Sequence, residues 1–236
     1  MGEPVRLHPW TAQVLQLAQT LSAQTHGLFD VALGSGAWQL QEDGEHTHLL
    51  RLSEATRFDL GGLAKGWAVD QAVRAAQAAG AAAVWVNAGG DLRAEGVTVP
   101  VRLRDEREGG AHSWLQLCDG AIATSDFTPG ARSELSGTLR AAHVSVAAPE
   151  CVWADALTKV YAVTGDAHHP ALRHFGAHAF KALLNHRFQR LAFGFAGNDK
   201  VIQRAVECSQ DFSGNRVQIL LSGGHHARPA QNINRV

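Results

Sequence analysis

The stretch "FDLGGLAKGWAVDQAV", Phe58 to Val73, constrains the fold of this chain more than any other, because the apolar pattern changes period inside it. Phe58 and Leu60 lie in an extended segment. From about Ala64 to Ala79 an alanine-rich run favours a helix, and Gly80 closes it as a C-cap. At the junction stand Asp59, Gly61, Gly62 and Lys65. Adjacent glycines admit backbone conformations closed to other residues and let a ligand come close to main-chain N–H groups. A helix N-terminus adds unpaired donors and a positive dipole end, and Lys65 adds a full charge one residue in. These are the ingredients of an anion site, although the spacing fits neither Walker A nor G-x-G-x-x-G. Read alone, the segment is equally an ordinary strand-to-helix turn with a surface lysine.

The flanking sequence sets the fold class. Trp10, Val14, Leu17, Ala18 and Leu21 recur at helical spacing and stop before Gly27, so residues 9–25 read as an amphipathic helix. "HTHLLRL" reads as a strand, and "AAVWVNAGGDLRAEG" as a buried strand, a tight glycine turn and a second extended piece. "VPVRLRD" and "HSWLQLCDGAIATS" are strands, "DFTPGARSELSGTLR" a loop, and "AHVSVAAP" a short strand. "CVWADALTKVYAVTG" is a helix ending at Gly165, and "ALRHFGAHAF" is a helix or a helix running into a strand. Strands dominate the middle without strict βαβ alternation, so the expectation is an α+β protein with a mostly antiparallel sheet and flanking helices. Beyond about residue 182 the periodicity weakens, and "LSGGHHARPAQNINRV" reads as a frayed tail.

The second glycine pair, Gly89-Gly90, leaves a hydrophobic strand and is flanked by Asn87 and Asp91. An amide and a carboxylate beside a permissive turn suit directional hydrogen bonds to a polar ring or ribose edge. The same pattern is also a bare hairpin turn.

Four collinear segments, "DLGGLAKGWAVDQAV", "VNAGGDLRAEG", "AIATSDF" and "ADALTKV", together with "LSAQTHGLFDVALG", resemble the signature stretches of the ApbE-type FAD:protein FMN transferases, over roughly Pro9 to Phe180. The resemblance implies the compact α+β arrangement called a T-fold, with FAD held in an extended groove and its FMN half transferred to a Thr or Ser hydroxyl of a partner protein, releasing AMP. It implies Gly61, Gly62 and Lys65 against the flavin nucleotide, Asn87, Gly89, Gly90 and Asp91 along a second wall, and Thr124 and Ser125 beside the pyrophosphate. It also implies a magnesium ion bridging the diphosphate, held by Asp155 and a hydroxyl four residues on. Magnesium favours carboxylate oxygens, phosphates and retained waters. Here Thr158 stands at i+3 and Lys159 at i+4, both near Asp155 on a helix surface. Either Thr158 serves from a shifted position, or the Lys159 ammonium fills part of the cation's space. Alone, Asp155 is a helix N-terminal carboxylate favoured by the dipole. Lys65 and Lys159 are two of only four lysines in the chain.

The chain departs from the family in lacking its His-x-x-Asp-Pro segment, whose histidine is the base for the acceptor hydroxyl. His143 and Asp126 are the substitutes within reach in sequence. General-base help contributes about 10²–10⁴ in rate, so its loss slows transfer without abolishing flavin binding. The family's strand and helix ahead of residues 9–25 have no counterpart, which leaves a sheet edge exposed. Residues 1–181 are thus expected as the flavin-transferase domain and 182–236 as a C-terminal extension, part of the same domain or a frayed tail.

Composition excludes other classes. The formal net charge of −1 argues against nucleic acid, and no run of about 18 apolar residues argues for a membrane span. The start lacks a signal-peptide pattern, so the chain as it stands is expected in the cytoplasm, or in the periplasm if an upstream export segment is missing. Cys118, Cys151 and Cys208 read as free thiols. His46 and His48, or His174 and His178 at helical spacing, lack a third ligand for zinc. Three functions follow in order: Mg-dependent FMN transfer from FAD to a protein hydroxyl, an FAD-binding protein without transfer, and a paralogue that binds no flavin.

Overall fold

The computed structural model describes residues 2–105, 111–128, 135, 138–141, 143–180, 189–192 and 217–222. Four helices are α1 (Pro9–Gln24), α2 (Ala64–Ala78), α3 (Cys151–Thr164) and α4 (Pro170–His174). Ten strands are β1 (Val5–Arg6), β2 (Trp38–Asp43), β3 (His46–Arg51), β4 (Ala83–Ala88), β5 (Asp91–Asp105), β6 (Ala111–Asp126), β7 (His143–Ala148), β8 (His178–Phe180), β9 (Gln189–Ala192) and β10 (Val217–Ser222). The larger sheet has the order β10-β4-β5-β6-β7-β8, all neighbours antiparallel, with β9 added parallel to β6. A small antiparallel sheet, β1-β3-β2, stands apart from it. The α+β class expected from the sequence is the class observed.

Strand alternation gives the larger sheet two faces. One carries Val84, Val86, Ala121, Ala123, Val144 and Val146, packed under α1, α2 and α3 through Leu21, Leu63, Val73 and Leu157. The other gathers Leu92, Ala94, Leu117, Ile122 and Ala147 into a second cluster. Fully burying one such side chain is worth about 1.5–3 kcal/mol, so the helix-covered face is what holds α2 and α3 against the sheet.

The helix limits follow local chemistry. Proline opens α1 at a position where its missing N–H is not needed, and the His8 ring nitrogen accepts the Trp10 amide at 3.2 Å. Trp10 itself, counted in the apolar stripe, is 61 % exposed and meets the edge of Trp67. Gly80 and Gly165 follow α2 and α3 as expected.

Several elements sharpen the sequence reading or differ from it. The extended piece after Gly90 and "VPVRLRD" form one continuous strand, β5, whose register against β6 shifts between Ala94 and Thr98. "ALRHFGAHAF" takes the second of its two readings, a helix (α4) running into a strand (β8) around Gly176, so His174 and His178 do not share a helix. Two strands, β9 and β10, join the sheet from the stretch beyond residue 182, which the sequence left open between part of the same domain and a tail. Cys208, residues 129–134 and 136–137 of the expected loop, and residues 223–236 of the expected tail lie outside the described residues. Among the described residues no helix is long and apolar enough to cross a membrane.

Candidate functional site

The entry to α2 is built by a local turn. The Asp59 carboxylate accepts the Gly61 amide at 2.8 Å, and the Leu60 carbonyl accepts the amides of Leu63 and Ala64 at 3.1 and 2.8 Å. Leu63 stands at the N-cap and offers no capping oxygen. The cap comes instead from α3: Asp155 Oδ2 accepts the Gly66 amide at 3.2 Å. The reverse contact also exists. Asp70, in the middle of α2, accepts the Cys151 amide on Oδ1 at 2.8 Å and the Val152 amide on Oδ2 at 2.9 Å, closing the N-terminus of α3, where Glu150 supplies no side-chain cap. Each helix thus neutralises the other's exposed donors and dipole end.

This crossing requires a glycine. A Cβ on Gly66 would sit 2.8 Å from the Cys151 carbonyl carbon, closer still to its oxygen, and 2.9 Å from Asp155 Cβ. Behind it, Arg93 from β5 bonds Asp70 at 2.6 Å and Glu95 at 2.7 Å, and Arg74 pairs with Glu150. Burial pushes Asp70 up from the ordinary carboxylate range, while the Cys151 and Val152 amides and Arg93 pull it back only in part.

Two lysine–aspartate pairs meet beside the crossing. Lys65 Nζ lies 2.6 Å from Asp91 Oδ2, with the lysine side chain 43 % exposed and the aspartate 1 %. Lys159 Nζ pairs with Asp155 Oδ1, donates to the Asp155 carbonyl at 2.9 Å and reaches Ser125 Oγ at 3.4 Å. Ser125 Oγ and Thr158 Oγ1 are 2.7 Å apart, and Thr158 donates to the Asp155 carbonyl at 2.6 Å. Gly62 passes over this pair: a Cβ there would lie 3.4 Å from Lys159 Cε and 3.5 Å from the Phe29 ring. Burial, reinforced by the neighbouring Asp155 charge, pushes Asp91 up to about 8, against the opposing pull of Lys65 and Lys159. The Lys65 ammonium, 2.6 Å from Oδ2, is the close polar contact of this carboxyl group. Burial tends to lower Lys65, but Asp91 and Asp155 outweigh it and the ammonium is held above its usual value. The Cys151 thiol, buried among these carboxylates, is raised well above the ordinary range and stays protonated.

Gly89 and Gly90 form a two-residue hairpin loop between Ala88 and Asp91, with φ of +62° and +101° as a type I′ turn demands. Asn87 Oδ1 accepts the Gly90 amide at 3.1 Å and so serves the turn. The expected second wall is therefore divided: Asp91 joins the lysine cluster, whereas Asn87 faces its own hairpin. Thr124 and Ser125 divide likewise, since adjacent strand residues point to opposite faces. Ser125 meets α3, and Thr124 Oγ1 lies 2.9 Å from Ser145 Oγ on the other face. The candidate bases share Thr124's parity. His143 pairs in register with Asp126; both ring nitrogens of His143 are buried with no hydrogen-bond partner among the described residues, and Asp126 accepts the Thr128 amide and hydroxyl at 2.9 and 2.8 Å.

The structure thus brings together Gly62, Lys65, Asp91, Ser125, Asp155 and Thr158, with Gly61 at the entry turn, and does not bring His143, Asp126, Asn87 or the Thr124 hydroxyl to the same spot. Sequence reasoning missed Asp70 and Arg93. The one available signal was a carboxylate at i+4 and i−3 from Gly66 and Val73, on the apolar side of α2.

The donor set discriminates between ligands. Glycine backbone at a helix entry and two ammonium groups suit a phosphate-bearing nucleotide. Magnesium demands oxygen lone pairs in near-octahedral array. Asp155 already meets an ammonium on one oxygen and an amide on the other, and the Thr158 hydroxyl serves the Asp155 carbonyl and Ser125, so Asp155 and Thr158 do not fit the ion expected of them. Among the described residues no three His, Cys, Asp or Glu side chains are grouped to hold a metal. A separate cleft of about 470 Å³, lined by Ala18, Ser22, His26, Asp30 and Trp38 among others, contains none of the cluster's charged residues.

Comparison with known proteins places this arrangement. A model of the ApbE family matches residues 1–127. No curated protein matches. Similar solved structures include the flavin transferase ApbE from Vibrio cholerae, at 21 % identity and TM-score 0.62 over 76 % of this chain and 72 % of that one. The apo flavinyl transferase ApbE of Pseudomonas stutzeri has 20 % identity and TM-score 0.58 over 75 % of this chain and 70 % of that one. The ApbE protein of Thermotoga maritima has 21 % identity and TM-score 0.59 over 75 % and 74 %. At these identities the likeness is one of fold, and it agrees with the T-fold expected from the motifs.

Proposed function

The chain belongs to the ApbE family, and from that premise we propose that it binds FAD and transfers the FMN half to a Thr or Ser hydroxyl of an acceptor protein. The observation that supports this reading most is the meeting of Gly62, Lys65, Asp91, Ser125, Asp155 and Lys159, drawn from an entry turn, two helices and two strands, at one helix crossing. The names of the Vibrio cholerae and Pseudomonas stutzeri proteins, flavin and flavinyl transferase, point the same way.

In the proposed reaction the acceptor hydroxyl oxygen attacks the phosphorus on the FMN side of the diphosphate. A new P–O bond forms to the acceptor, the bond to the AMP phosphate breaks, the hydroxyl proton passes to a base or to solvent, and AMP leaves. There is little covalent work for the protein in such a displacement; positioning and charge compensation carry it. Lys65, the exposed member of its pair, meets the phosphates, and Gly61 and Gly62 let the diphosphate approach the backbone. No step is assigned to a magnesium ion, because Asp155 and Thr158 are already engaged.

A second reading, an FAD-holding protein without transfer, is favoured by one observation: His143 and Asp126 point to the sheet face opposite Ser125, leaving no histidine at the cluster among the described residues. Incubation with FAD and a threonine-containing acceptor peptide, followed by mass analysis, decides between the two. An FMN adduct supports transfer; flavin binding without an adduct supports the second reading. Lys65→Ala is expected to weaken FAD by about tenfold or more, as for a lost hydrogen bond to a charged group, and to leave riboflavin nearly unaffected. Equal loss for both ligands would place the lysine away from the phosphates.

A further inference from the structure

We infer that the Lys159 ammonium takes the place of a divalent cation in this chain, so that the crossing of α2 and α3 grips a dinucleotide diphosphate without metal. The identity of the ligand rests on the FAD reading above; the placement of the ammonium rests on the structure alone.

Three features carry it. Lys159 Nζ gathers three protein oxygens, the Asp155 carboxylate, the Asp155 carbonyl at 2.9 Å and Ser125 Oγ at 3.4 Å, an all-oxygen set of the kind a hard cation collects. Asp155 has no exposed side-chain surface, whereas Lys159 keeps 13 %, so an incoming ligand meets the lysine side chain before the carboxylate. Gly62 leaves room for the lysine stem, a Cβ there being 3.4 Å from Lys159 Cε, and sets main-chain atoms beside the charge.

The chemistry is consistent. An ammonium has three donors and no acceptor. Two are committed to Asp155, and the long contact to Ser125 is the one a phosphate oxygen can replace. A magnesium ion placed on Asp155 would face a like charge already bonded to its own ligand, which disfavours it. A single fixed charge also offsets less of the diphosphate than a divalent ion would, and Lys65, one turn of backbone from Gly62, supplies the remainder.

Two measurements on the wild-type chain decide the matter. FAD binding, followed by flavin fluorescence, is expected to be the same within about threefold in EDTA and in excess Mg²⁺, where a tenfold change corresponds to about 1.4 kcal/mol. Titration with Mn²⁺ alone, followed by its paramagnetic resonance signal, is expected to show no Asp155-dependent site. Lys159→Thr is expected to create such a site, visible as Mn²⁺ binding and as a melting temperature raised by Mg²⁺, and adding Asp155→Asn to remove it. FAD binding that tightens tenfold or more with Mg²⁺, or wild-type Mn²⁺ binding lost in Asp155→Asn, would overturn the inference. Failure to bind FAD in either buffer would instead sink the flavin reading, and the Mn²⁺ titration would still decide the role of the lysine.

Discussion

Asp91 is the residue where site and stability are most tightly joined. Burial beside Asp155 pushes its carboxyl up to about 8 in the folded chain, from 3.8 for an ordinary aspartate, against the pull of Lys65 and Lys159. Between about pH 4 and pH 8 the folded state therefore keeps a proton that the unfolded chain has released. Stability from this group is fully present below the unfolded value and is lost as pH rises through the folded one. The melting temperature of the wild type relative to Asp91→Asn is expected to fall across that window, with the difference levelling above it; a difference independent of pH would show that Asp91 is ionised throughout. Lys65, nearly half exposed, remains hydrated in that variant, so the comparison isolates the carboxyl. Much of this was legible in the sequence. Gly62, Lys65 and Asp155 were marked by their motifs, whereas the separation of Thr124 from Ser125 follows only once "AIATSDF" is laid on one strand and its alternation counted. His143 and Asp126 stood close to the motifs in sequence, and strand parity, which proximity along the chain does not reveal, turned them away.

At the level of elements, the crossing of α2 and α3 is held by Gly66, Asp70 and Asp155. Gly66→Ala drives a methyl into the Cys151 carbonyl. Overpacking of this kind costs about 1–3 kcal/mol, or roughly 2–4 °C of melting temperature per kcal/mol for a chain of this size. Asp70→Ala is expected to cost more, about 3–5 kcal/mol, because it removes both amide partners at the start of α3 and leaves the Arg93 guanidinium, only 12 % exposed, without its nearest anion. Chemical denaturation of the two variants checks the order; an Asp70→Ala loss smaller than that of Gly66→Ala would mean that Glu95 and Glu150 hold Arg93 without it. The limits of α1, α2 and α3 were readable because periodicity and terminal glycines are local signals. The mutual capping was not, since the partners of Asp70 lie 81 and 82 residues away and the capping convention looks only at a helix's own first residues.

For the molecule as a whole, the edge of the larger sheet is decided far from the motifs. β10 covers the outer side of β4 along six register pairs, from Val217 with Ala88 to Ser222 with Ala83. A chain ended after residue 216 uncovers β4, whose Val84 and Val86 are core residues and which leads directly into the Gly89-Gly90 turn and Asp91. Exposed edges invite pairing with another chain. The shortened protein is expected to self-associate in size-exclusion chromatography and to melt lower; a monomer of unchanged stability would show that β4 needs no cover. The sequence left this strand unassigned because its pairing is long-range and its local periodicity weak. The two helix starts have a consequence that reaches beyond any one chain. Since Asp70 and Asp155 each satisfy amides of the opposite helix, a lineage that replaces one of them strands donors on the other side of the crossing. Chains that keep this crossing should therefore carry a hydrogen-bond acceptor at each of the two positions, even where flavin is no longer bound.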